Sequence, residues 1–173
     1  WETPNLAFRN RGDLRFEEVG RAWGFDATGV SQGMALADLD NDGDLDVVIN
    51  QLDGPVLIYR NESVAPRLAV RLNGAPPNRH GVGARITVRG GAVPVQSQEI
   101  QSGGRYLASD DPMRVFATGQ GERRLEIEVR WRSGRISRVP DLSPNQLCEV
   151  DEAAALTNPP VVLPTSSVWF EEV

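Results

Sequence analysis

The sequence holds one cysteine, one histidine and no lysine, and each scarcity removes a class of chemistry. Cys148 has no second thiol with which to form an intrachain disulfide. It lies in Gln146-Leu147-Cys148-Glu149-Val150, which alternates like a strand, so its expected role is that of a small buried hydrophobe. His80 has no ligating or nucleophilic partner at motif spacing, so no His- or Cys-based active site is visible. No run of 18 apolar residues exists, which excludes a membrane-spanning helix, and no signal peptide heads the chain. Aromatic residues make up only 6% of the chain and no nucleic-acid motif is present, so a nucleic-acid partner is not expected. The chain opens on Trp1 without an initiator Met and reads as the ordered part of something longer. A leader could have been removed, so its absence does not argue for the cytoplasm.

What remains is arginine, acid, glycine and proline. All 18 basic residues are Arg, and they are unevenly placed. Residues 1–59 carry 4 Arg and 11 acids, residues 60–138 carry 14 Arg and 7 acids, and residues 139–173 carry 6 acids and no base. An acidic head and tail thus flank a basic middle, a distribution suited to head-to-tail self-association. The 17 Gly and 12 Pro punctuate stretches rich in Val, Ile, Leu, Thr and Arg. That is the texture of short strands and turns, and nothing supports a long helix.

Three zones follow. In residues 1–63, a turn at Asn10-Arg11-Gly12-Asp13 precedes the alternating Leu14–Val19. Further strands are expected at Gly33–Asp38, Asp46–Asn50 and Val56–Arg60, the last after an Asp53-Gly54-Pro55 turn. These four are expected to form a single antiparallel sheet. In residues 64–151, Leu68, Val70 and Leu72 alternate with Ala69 and Arg71, and Ile86 and Val88 with Arg85, Thr87 and Arg89. Ile127, Val129 and Trp131 alternate with Glu and Arg up to a Ser133-Gly134 turn. One apolar and one Arg-rich face per strand predicts a β-sandwich with a solvated exterior. Residues 152–173 form a tail: one helical turn near Glu152–Leu156, an extended Pro-rich stretch, and Val168-Trp169-Phe170-Glu171-Glu172-Val173. Its last four residues repeat Phe16-Glu17-Glu18-Val19.

Between two expected strands lies Asp38-Leu39-Asp40-Asn41-Asp42-Gly43-Asp44-Leu45-Asp46. With Asp38 as position 1, carboxylates fall at positions 1, 3, 5, 7 and 9 and glycine at 6. Calcium takes six to eight oxygens, and alternating short carboxylates converge when the backbone curls around the ion. Position 12 is Ile49, so the bidentate Glu of an EF-hand is missing and the site is strand-loop-strand, closed by Asp46. Asp44 is expected to offer its backbone carbonyl, leaving its side chain free. Without a cation, each close pair of carboxylates repels by about 1 kcal/mol or more. Magnesium, with its tight octahedron, suits this many protein oxygens less well.

The first zone resembles an FG-GAP/VCBS repeat, the blade unit of integrin-type β-propellers. The resemblance rests on Asn5–Asn10, Phe16–Val19 and the run Gly33–Asp46. It implies calcium held by the acidic loop between blade strands. The second zone resembles the ASPIC/UnbV domain. It does so through Asn78-Arg79, Gly81–Val88, Gln98 to Leu107, Phe116–Gly119, Val129–Gly134 and Asn145-Gln146, with Arg132 where the family carries Pro. The whole is therefore expected to be all-β: a calcium-binding antiparallel blade-like sheet, a β-sandwich-like domain, and an extended C-terminal tail strand.

A propeller closes with at least four blades, and this chain supplies about one. Missing upstream blades, packing on the second zone, or other subunits are the three ways to complete it. In the last case Val168, Trp169, Phe170 and Val173 act as an assembly strand that adds to a neighbouring copy. No paired acids in a pocket and no Ser-His-acid set are legible, and Asp110-Asp111 before Pro112 reads as a turn, so no catalytic residue is expected. The expected function is that of a non-catalytic, calcium-stabilised extracellular module, a head-to-tail fibre subunit. The alternative is an adhesion module that binds glycans or protein through its Arg-rich face, cut from a larger secreted protein. Asn61-Glu62-Ser63 is an N-glycosylation sequon, and Thr165, Ser166 and Ser167 are candidate O-glycan acceptors.

Overall fold

The alternating patterns do become strands, and the computed structural model shows which strands they choose as partners. It describes residues 1–120 and 124–155. The candidate acceptors Thr165, Ser166 and Ser167 and the candidate strand Val168–Val173 lie outside the described residues.

The amino-terminal part contains β1 (Thr3–Pro4), β2 (Phe8–Gly12), β3 (Arg15–Glu18), β4 (Thr28–Gly29), β5 (Ser31–Ala37), β6 (Asp46–Gln51) and β7 (Leu57–Tyr59). They do not make one sheet. β5, β6 and β7 form an antiparallel three-stranded sheet in that order, β2 and β3 form a separate hairpin, and β1 pairs with β4. The single four-stranded sheet expected from the sequence is thereby corrected. Phe8–Gly12 is itself a strand, and it takes up the edge of Phe16–Glu18. The turn also falls later than expected, at Gly12, Asp13 and Leu14, all three with positive φ.

The carboxy-terminal part contains β8 (Arg67–Asn73), β9 (Arg85–Arg89), β10 (Val95–Glu99), β11 (Gly104–Arg105) and β12 (Ala108–Ser109). It continues with β13 (Arg114–Ala117), β14 (Leu125–Arg130), β15 (Ile136–Leu142) and β16 (Gln146–Asp151), followed by a short 3-10 turn at Glu152–Ala154. One sheet runs β10-β9-β14-β15 and a second runs β13-β8-β16. β16 pairs parallel to β8; the other ladders are antiparallel.

The core lies between these two sheets. Leu68, Val70, Leu72, Phe116, Cys148 and Val150 face Ile86, Val88, Leu125, Ile127, Val129 and Trp131. Arg85, Arg89 and Arg130 project outward at the intervening positions. β8 is central to its sheet and is buried at Leu68, Ala69, Val70 and Leu72, as suits a strand with a neighbour on either side. Cys148 is buried in β16 as a small hydrophobe. Among the described residues, no helix is long and apolar enough to cross a membrane.

The two parts are tied by polar contacts. The β11–β12 hairpin lies against β5. The Asp111 amide donates to the Leu36 carbonyl at 2.8 Å, and the Leu36 amide donates to Asp110 Oδ1 at 2.8 Å. These bonds occupy the outer edge of β5, so the sheet's remaining open edge is β7.

Candidate metal centre

The acidic run connects strands that are already neighbours, since Ala37 at the end of β5 pairs with Asp46 at the start of β6. The chain between them must reverse within eight residues. It does so through left-handed positions at Asn41 (φ 61°) and Gly43 (φ 86°). Asn tolerates this region, and Gly enters it without a Cβ penalty. The curl is held from inside: Asp38 accepts from the amides of Asp42 and Gly43, both at 3.1 Å, and Asp42 accepts from the Asp44 amide at 3.0 Å.

Three of the five predicted ligands converge. Asp38, Asp40 and Asp42 each present a carboxylate oxygen, all within 4.8 Å of one another. Asp46 lies below them, almost fully buried. It accepts from the Leu39 amide at 2.9 Å with Oδ2 and from the Asn61 amide at 2.8 Å with Oδ1. In this arrangement it clamps the loop to the chain leaving β7. Asp44 is also buried, and neither side-chain oxygen meets hydrogen-bond geometry with any partner. Burial is the main cause that pushes its carboxyl up to about 6. Arg67 opposes the rise, and the charges of Asp42, Asp46 and Asp40 add to it.

Two guanidiniums balance the cluster. Arg60, just after β7, meets Asp40 at 2.8 Å. Arg67, the first residue of β8, lies 3.3 Å from Asp42 and 3.2 Å from Asp44, and donates to the Asp42 carbonyl at 3.1 Å. These residues fit a hard divalent cation: all the donors are oxygens, three carboxylates converge, and buried carboxylate oxygens lie beside them unsatisfied. Asp38, Asp40 and Asp42 would hold it, with Asp44 and Asp46 beside them. The ion would supply a charge that replaces mutual repulsion with attraction.

Other predicted positions find quieter roles. Asn61 is half-buried; its side chain donates to the Leu45 carbonyl at 3.4 Å and accepts from the Ser63 amide at 3.0 Å. Asp110 and Asp111 hold the segment after β12 against β5. Asp110 binds Arg105 as well as Leu36, and Asp111 caps the turn by accepting from the Met113 amide at 2.8 Å. Sequence reasoning missed both this docking and the entry of Arg67 into the acidic loop. Neither has a local signal, because the partners are 74 and 25 residues apart in the chain.

The hairpin that carries the acidic loop and the two-sheet domain behind it coincide with two family matches. Residues 2–49 match the FG-GAP-like repeat, and residues 74–157 match the ASPIC and UnbV family. The chain carries an FG-GAP-like repeat followed by an ASPIC/UnbV domain. FG-GAP repeats commonly bind calcium, and both module types are typically non-catalytic. The chain is also similar to cartilage acidic protein 1. With the mouse protein (Mus musculus) it is 25% identical over 74% of its own length and 20% of the relative's. With the human protein (Homo sapiens) it is 35% identical over 39% of its own length and 10% of the relative's. The chain thus spans about a fifth or less of the length of these curated relatives.

Proposed function

We propose that this chain is a non-catalytic, calcium-stabilised structural module of an extracellular protein. The observation that carries this reading is the convergence of Asp38, Asp40 and Asp42 at the closed end of the β5–β6 hairpin. A cation there draws together carboxylates that otherwise repel by roughly 1–3 kcal/mol per pair. Arg60 and Arg67 reach the same loop from β7 and β8, so the FG-GAP-like part and the ASPIC/UnbV domain meet at the ion's position. The site is structural in character. Asp38, Asp42 and Asp46 accept backbone amides of the loop and of Asn61, as a structural clamp does. The similarity to cartilage acidic protein 1 supports the extracellular setting.

The module's partner, on this reading, is a β-strand. β7 is an edge of a three-stranded sheet, and strand addition along it is how such an edge becomes buried. When the strand comes from another copy, the contact repeats head-to-tail. The adhesion alternative draws less support: Arg85, Arg130 and Arg138 on the exterior of the four-stranded sheet pair with Glu99 and Glu128 rather than standing free.

Calcium titration by calorimetry, together with melting in calcium and in excess chelator, tests the proposal. At 100 times the dissociation constant, binding stabilises by about 2.7 kcal/mol, worth roughly 5–10 °C for a chain of this size. A melting temperature that does not move on chelation, with no heat of binding, would sink it.

A further inference from the structure

One of the two cations at the acidic loop is mounted on the other part of the chain. Arg67 opens β8, and its backbone is held from behind by the turn that leads into β16. Its amide donates to Asn145 Oδ1 at 3.2 Å, and its carbonyl accepts from the Asn145 amide at 2.6 Å. The root of the side chain is thus fixed to the β13-β8-β16 sheet, while its tip reaches the loop between β5 and β6.

At that tip the two terminal nitrogens have different partners. Nη1 donates to the Ser63 carbonyl at 2.8 Å, outside the acidic run. Nη2 donates to the Asp42 carbonyl at 3.1 Å and lies 3.3 Å from Asp42 Oδ1 and 3.2 Å from Asp44 Oδ2. Three oxygens of the loop, one carbonyl and two carboxylate, therefore converge on one nitrogen. That mixture of oxygens is what calcium takes as ligands. The contact with Asp44 is one of charge alone, since this carboxylate is buried and neither of its oxygens has hydrogen-bond geometry with a partner.

We infer that Arg67 is an internal counter-cation that competes with calcium for the acidic loop, so that β8 sets the affinity of a site carried by β5 and β6. The inference deepens the calcium reading and rests on it, by naming the residue that limits how tightly the ion is held.

Asp42 is claimed from both sides. Its carboxylate converges with those of Asp38 and Asp40, and its Oδ1 faces Arg67. Calcium–oxygen distances are about 2.4 Å, so an ion held by Asp42 would stand roughly 6 Å from Nη2. Like charges at that separation, screened as in bulk water, lower affinity by about tenfold, and by more beside a buried carboxylate. Arg60 competes less, because its side chain is more than half exposed and water screens it. Arg67 can also give way: it keeps some solvent contact, and its bond to Ser63 does not depend on the loop's carboxylates.

The coupling is reciprocal. If Arg67 lowers calcium affinity by a given factor, calcium weakens the hold of Arg67 on the loop by the same factor. Calcium therefore tightens the β5–β6 hairpin and at the same time slackens its contact with β8. The competition also places the site among weak, extracellular calcium sites, with a dissociation constant of about 10⁻⁴–10⁻³ M.

Calorimetric titration of calcium into the metal-free full chain, beside its Arg67→Gln and Arg67→Lys variants, tests the inference. Arg67→Gln removes the charge and should bind calcium at least about tenfold more tightly. Arg67→Lys keeps the charge and should stay within about threefold of the unaltered chain. Equal or weaker binding by Arg67→Gln overturns the inference, because Arg67 would then support the site. So does tighter binding by both variants, which would assign the effect to the shape of the guanidinium and not to its charge. The unaltered chain gives a second reading that needs no substitution. By NMR, the guanidinium protons of Arg67 should exchange with water at least about tenfold faster in saturating calcium than in chelator, and unchanged or slower exchange overturns the inference. Absence of binding heat in all three chains is a separate failure, in which the calcium reading itself falls and takes the inference with it.

Discussion

The guanidinium of Arg67 lies 3.2 Å from Oδ2 of Asp44, a carboxylate buried without a hydrogen-bond partner. Arg67 begins β8, the central strand of a carboxy-terminal sheet, and Asp44 belongs to the loop between β5 and β6, so the ion pair joins the two parts of the chain. Removing one partner of a buried pair costs about 3–5 kcal/mol. Arg67 keeps some solvent contact, with its side chain 18% exposed, which reduces the figure to about 2 kcal/mol. Arg67→Ala should therefore lower unfolding free energy by about that amount in chelator, measured by urea denaturation. In saturating calcium the loss should shrink, because the ion supplies the missing positive charge. An equal loss in both conditions would show that Arg67 does not share the loop's counter-charge role.

Asp110 makes the second joint. Its Oδ1 receives both the Leu36 amide and Arg105. Asp110→Ala leaves a backbone donor on the edge of β5 and an arginine without a partner. A loss of about 1–3 kcal/mol follows from leaving such groups unpaired. Hydrogen exchange at Leu36 should quicken while that at Ile127, deep in the other module, stays slow. Unchanged exchange at Leu36 would mean that the Asp111 amide–Leu36 carbonyl bond holds the edge alone.

Phe116 and Phe16 give a third comparison on one residue type. Phe116 is fully buried between the two sheets, and Phe16 is 63% exposed on β3. Phe116→Ala should cost about 3–5 kcal/mol through lost burial and the cavity left behind. Phe16→Ala should stay within about 1 kcal/mol. The readout is the denaturation midpoint at unchanged m-value. A large loss for Phe16 would reveal a contact that covers it in solution.

These residues also mark how far the sequence could be read. Leu68, Val70, Ile86, Val88, Ile127 and Val129 were legible because a half-buried strand writes its burial into a period of two. The acidic loop was legible because the spacing of its carboxylates is local, and those of Asp38, Asp40 and Asp42 do converge. Strand partnership was not legible. Phe16–Glu18 looks the same whether it pairs with Phe8–Asn10 or with a strand of the next sheet, and the intervening turn decides. The parallel match of β16 to β8 is equally non-local. The burial of Asp44 beside Arg67, which arrives from β8, also has no local signal.

Glu128 supplies a pH-dependent test away from the acidic loop. It is half-buried on β14 and receives Arg130 Nε at 2.9 Å and Arg138 Nη2 at 2.9 Å. Burial pushes its carboxyl upward, and the hydrogen bonds and charges of the two arginines outweigh it, so the carboxyl lies below the usual range. A carboxyl lowered on folding binds its proton more tightly in the unfolded chain. Its stabilisation is thus complete above the unfolded value, about 4.3, and disappears as pH falls through the lower folded value. Both arginines are more than half exposed, so the contribution is about 0.5–1 kcal/mol after solvent screening. Glu128→Gln should lower stability by that amount at pH 7, and the difference from the unaltered chain should vanish in strong acid. Urea denaturation of both proteins across this range, in chelator so that the acidic loop contributes equally, checks the sign. A difference that grows as pH falls would mean that burial, and not the two arginines, governs this carboxylate.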